Sequence, residues 1–111
     1  MNIPFVNLKA QYQSLKADID AAIQKVIDQT AFIKGPFVSD FESSFKSTYN
    51  VKHTISCANG TDAIYISLKA LGIGNGDEVI TTALSWISTS ETITQVGAKV
   101  VFVDISPDYY T

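Results

Sequence analysis

From His53 to Val103 the sequence alternates short apolar stretches with helix-patterned ones, and this alternation narrows the possible folds more than any other feature. Residues 53–57, 78–82 and 99–103 are short and rich in branched apolar side chains, so each reads as a strand. After the first, Ile64, Leu68 and Leu71 share one helical face that stops at Gly72; a further helix is expected after Ser85, ending at Gly97. Strand, helix, strand, helix, strand with short joins predicts parallel βαβαβ units, buried on both faces of the sheet. Upstream, Leu15, Ile19, Ala22, Ile23, Val26 and Ile27 predict an amphipathic helix over about 10–29, broken by Thr30 to Pro36. Phe37, Phe41 and Phe45 repeat every four positions and predict a second helix to about Thr48, its aromatic stripe expected in the core. The fold class is therefore α/β, two helices preceding a parallel sheet.

Ligands in such sheets gather at the carboxyl ends of the strands, which here means Cys57 to Asp62, Thr82 to Trp86, and Val103 to Asp104. Within the first segment Gly60 lets a ligand approach the backbone, and the opening N–H groups of a helix lack partners inside it. Gly60, Thr61 and Asp62 thus form a candidate anion cradle, with the Thr61 hydroxyl as an added donor. The same pattern also serves as a plain helix cap, made by Asn59 or Thr61 with nothing bound. Trp86 offers a flat face to the same cavity or fills a core. Ser88 and Thr89 either line the site or bond their own backbone, and Asp104 either faces the pocket or serves a turn or cap, the role expected here. The glycines at 72, 74 and 76 close a helix and precede a strand, the reverse of a dinucleotide-binding fingerprint.

Composition removes other classes. With 46% hydrophobic and 17% charged residues the chain is globular, and a net charge of −3 without a basic run argues against nucleic acid. No apolar run reaches membrane-span length and the N-terminus lacks a signal-peptide pattern, so a cytoplasmic, membrane-free protein is expected. Cys57, the single cysteine, is expected as a small buried side chain, and His53 stands at the far end of its strand from the Gly-Thr turn. No metal site is expected. All eight basic residues are lysines, so any bidentate arginine clamp must come from elsewhere.

Pro4 to Leu8, Phe32 to Pro36, Ala58 to Ala63, Leu71 to Ile80, Ser85 to Thr89 and Gly97 to Asp104, in this order and spacing, resemble the N-terminal part of the DegT/DnrJ/EryC1/StrS family. Its members are pyridoxal-phosphate-dependent aminotransferases of nucleotide-linked keto-sugars with the fold-type-I architecture. The resemblance implies a fragment of a longer enzyme: 1–35 as N-terminal segment and first helix, 36–111 as the first part of the cofactor-binding large domain. It implies that Gly60, Thr61 and Asp62 hold the cofactor phosphate, that Trp86 stacks on the pyridine ring, and that the Phe32 to Pro36 loop borders the site of a homodimer. The Schiff-base lysine is expected downstream of residue 111, so this chain carries no catalytic residue and is expected to be inactive alone. The implied reaction takes an amino group from an amino acid, glutamate foremost, to a nucleotide-linked keto-sugar. Two alternatives stay open: a dehydratase of the same family, and a non-catalytic phosphate- or nucleotide-binding α/β module.

Overall fold

A computed structural model describes residues 4–109. The chain divides into two compact units, Met1–Ser56 and Cys57–Thr111.

The first unit is helical. Helix α1 (Leu8–Asp28) begins where Asn7 Oδ1 accepts the Ala10 N–H at 3.0 Å, two residues before the hydrophobic period alone suggests. It ends in a reversed turn: Thr30 N–H donates to the Ile27 carbonyl and Ala31 N–H to that of Val26, with Thr30 at φ 48°. Helix α2 (Pro36–Tyr49) starts on a proline, whose missing N–H costs nothing at that position, and stops at Asn50 in the left-handed region. The expected aromatic core stripe is corrected here. α2 buries none of its residues within this unit; Phe41, Phe45 and Tyr49 instead stack along its surface, with ring centroids 5.9 and 4.4 Å apart.

The expected strand at 53–57 does not form. Its side chains suit a strand, but a strand exists only with a ladder partner, and among the described residues the sheet has two members. The Ser56 N–H goes instead to Glu42 of α2, at 2.8 Å. His53 lines an open cleft of about 320 Å³ beside Glu42, Lys46, Lys52 and Thr54.

The second unit runs α3 (Gly60–Ala70), β1 (Glu78–Thr82), α4 (Ser88–Gln95), β2 (Lys99–Val103). Both strands match their sequence-predicted bounds. They pair in parallel from Glu78↔Lys99 to Thr82↔Val103, so β1, α4 and β2 make one βαβ unit. Leu68 of α3, Ile93 of α4, Val96 at its C-terminal cap, and Ala98 form the core, and Val79 and Val100 pack onto it from one face of the sheet. Ile93 is only 2% exposed; burying such a side chain contributes about 1.5–3 kcal/mol. Ile80 and Val103, on the opposite face, are exposed, so within this unit the sheet is covered on one side and not on both. Cys57 is likewise exposed, its Sγ 3.4 Å from the Asn59 carbonyl oxygen, because no strand encloses it.

Candidate functional site

Helix α3 opens with its donors divided between the chain and free space. Asn59, extended at φ −163°, caps it: Asn59 Oδ1 accepts the Asp62 N–H at 2.9 Å and the Asn59 carbonyl accepts that of Ala63 at 3.1 Å. Asn59 Nδ2 returns a hydrogen bond to Asp62 Oδ2 at 3.1 Å, so the carboxylate is tied to the cap. The N–H groups of Gly60 and Thr61 meet no acceptor among the described residues. They stand at the positive end of an 11-residue helix, an arrangement that attracts an anion.

Gly60 is not required by the chain itself. Its φ is not positive, and a Cβ built there would meet nothing within 4 Å. The glycine therefore leaves room for something outside the chain to approach the backbone. The Thr61 hydroxyl lies 2.7 Å from the Ser88 hydroxyl at the start of α4. That bond brings the Gly-Thr turn to the first turn of α4, the helix that follows the carboxyl end of β1.

Trp86 lies between Thr82 and α4. Its carbonyl accepts the Thr89 N–H at 3.0 Å, and its residue is 78% exposed, outside the core of this unit. Thr89 shares a hydrogen bond with Ser85 across one turn, at 2.9 Å. Asp104 Oδ1 accepts the Ile105 N–H at 2.8 Å. The pairing of Thr61 with Ser88, 27 positions apart, carries no signal in the sequence. Among the described residues no three His, Cys, Asp or Glu side chains are grouped to hold a metal ion, and no helix is long and apolar enough to cross a membrane.

Free backbone donors at the start of α3, open space at Gly60 and an exposed indole after β1 all lie in a parallel α/β unit. The chain belongs to the DegT/DnrJ/EryC1/StrS aminotransferase family, which matches residues 13–111. It is 46% identical over 108 residues to a UDP-2-acetamido-2-deoxy-3-oxo-D-glucuronate aminotransferase of Pseudomonas aeruginosa, covering 97% of this chain and 30% of that relative. A crystal structure of a DegT DnrJ EryC1 StrS aminotransferase from Brucella abortus superposes with TM-score 0.92 at 39% identity, over 98% of this chain and 29% of that one. An E. coli GDP-4-keto-6-deoxy-D-mannose-3-dehydratase with bound hydrated PLP superposes with TM-score 0.72 at 34% identity, over 78% of this chain and 24% of that one. The chain thus spans less than a third of the length of these relatives.

Proposed function

We propose that this chain is the N-terminal, cofactor-holding part of a longer cytoplasmic, homodimeric enzyme that uses pyridoxal phosphate to move an amino group from glutamate to a nucleotide-linked keto-sugar. Its first 35 residues are the N-terminal segment and first helix, and 36–111 open the large domain. The observation that carries this reading is the pair of unpartnered N–H groups at Gly60 and Thr61, beside the open space where a Cβ on Gly60 would stand.

When bound, the cofactor supplies the electron sink for the reaction. Gly60 and Thr61 would hold its phosphate through their backbone N–H groups, and the positive end of α3 would offset that charge. Asp62 acts by completing the Asn59 cap, which fixes the turn that presents those donors. Trp86 would hold the pyridine ring by stacking, which would give broad contact at little entropic cost. The lysine that joins the cofactor lies beyond residue 111.

The likeness to a dehydratase favours one second reading, in which the same binding turn serves removal of a sugar hydroxyl. The test is to purify the whole polypeptide, look for pyridoxal absorbance, and supply glutamate followed by a nucleotide-linked keto-sugar. Glutamate-dependent formation of an amino-sugar supports the proposal. Loss of the hydroxyl without amination supports the dehydratase, and no pyridoxal absorbance contradicts both.

A further inference from the structure

Ser88 is 7% exposed, and the only side-chain partner of its hydroxyl among the described residues is Thr61 Oγ1, at 2.7 Å. Its backbone is held in turn: the hydroxyl of Thr92, itself fully buried, donates to the Ser88 carbonyl at 2.8 Å. Each hydroxyl of the Thr61–Ser88 pair has a single proton to give. If Thr61 gives its proton to Ser88, none remains for an anion at the turn. If Ser88 gives its proton to Thr61, both protons run toward the turn, and each hydrogen bond polarises the next.

We infer that Ser88 is a positioning residue for the anion site, its buried hydroxyl donating to Thr61 Oγ1 so that the Thr61 proton is directed at a phosphate oxygen. The inference rests on the cofactor reading given above and adds to it a residue that acts only through Thr61. It explains why a hydroxyl stands at a nearly closed position in the first turn of α4, where the helix itself needs no side-chain acceptor. It also makes the site selective for the phosphate ester over the free alcohol of the same ring.

The experiment measures binding of pyridoxal 5′-phosphate and of pyridoxal to the whole apo-protein, for the unaltered chain, Ser88→Ala, Thr61→Val and the double variant. Ser88→Ala is expected to weaken binding of the phosphate about three- to tenfold, the range for one lost hydrogen bond, and to leave pyridoxal binding unchanged. On the Thr61→Val background the Ser88 change is expected to add nothing. Ser88→Cys, close in size but a weak donor, gives the same reading should the alanine variant fail to fold. An equal loss in both backgrounds, or a matching loss for pyridoxal, shows that Ser88 does not act through Thr61 and overturns the inference. So does an unchanged affinity in Ser88→Ala when Thr61→Val is weakened, a result that leaves the cofactor reading standing. An apo-protein that binds pyridoxal as tightly as its phosphate contradicts the cofactor reading, and the role of Ser88 falls with it.

Discussion

The Asn75 side chain fills the space beside Gly97 that a side chain there would need: a Cβ built on Gly97 would lie 2.5 Å from Asn75 Oδ1. Gly97 also sits at φ 93°, ending α4 with its N–H on the Thr94 carbonyl while Ala98 bonds that of Ile93. The Asn75 amide is the free end of an exposed side chain and can swing aside, so the backbone decides the cost. Gly97→Ala is expected to destabilise the protein by about 1–3 kcal/mol. The urea midpoint of the whole polypeptide reads this, and an unchanged midpoint contradicts it.

Thr30 ends α1 with the same hydrogen-bond pattern, but at φ 48° it places a β-branched side chain where α3 and α4 use Gly72 and Gly97. A branched side chain in the left-handed region is strained. Thr30→Gly removes the strain, so stability should hold or rise by up to about 1 kcal/mol despite the added freedom of the unfolded glycine. A clear fall in the thermal midpoint would count against this account of the helix end.

Glu42 titrates low. The Ser56 N–H and then its hydroxyl, both donating to Glu42 Oε1 at 2.8 Å, hold the carboxyl below the usual glutamate range. A depressed folded value means that this clip stabilises the fold above the unfolded pKa, near 4.3, and is lost as pH falls through the folded one. The Glu42 carboxyl resonance should therefore move with a midpoint below about 4.3, and the Ser56 amide should follow it. Glu42→Gln should abolish the acid-side change at Ser56, whereas a Glu42 midpoint in the ordinary range contradicts the clip.

Much of the fold was legible because its signals are local. The bounds of β1 and β2 follow from apolar stretches flanked by turn residues, and α4 ends at Val96–Gly97 as the sequence implies. What failed was pairing. Residues 53–57 carry strand-forming side chains, but a ladder partner is a property of distant sequence, and none meets them here. For the same reason α2 kept its aromatic period while its stripe stayed unburied, since periodicity gives a face and not what covers it. Gly60 and Thr61 could be nominated from the strand predicted before them and Trp86 from its place after β1, whereas the Thr61–Ser88 bond depends on how α3 and α4 pack.

Gly60→Ala separates binding from folding. With open space around the position and no positive φ, the substitution should leave apo-stability unchanged or slightly raised, because alanine narrows the unfolded ensemble. Under the proposed cofactor reading, affinity for pyridoxal phosphate should nevertheless fall, since the added methyl group would take the space through which the phosphate would approach the backbone. Equal affinity in titrations of the two apo-proteins contradicts an anion site at this turn.

Trp86 tests the central claim most directly. Its residue is 78% exposed, so Trp86→Ala should leave unfolding of the apo-protein nearly unchanged. If Trp86 stacks on the cofactor ring, its loss removes about 0.5–1.5 kcal/mol beyond simple burial, so pyridoxal phosphate affinity should fall measurably and the cofactor absorbance should shift. Trp86→Phe should retain much of both. The decisive measurement is cofactor affinity and apo-protein unfolding on the same Trp86→Ala protein. The account predicts weakened affinity with stability intact; unchanged affinity with a loss of about 3–5 kcal/mol in apo-stability would show that Trp86 is a packing residue and contradict it.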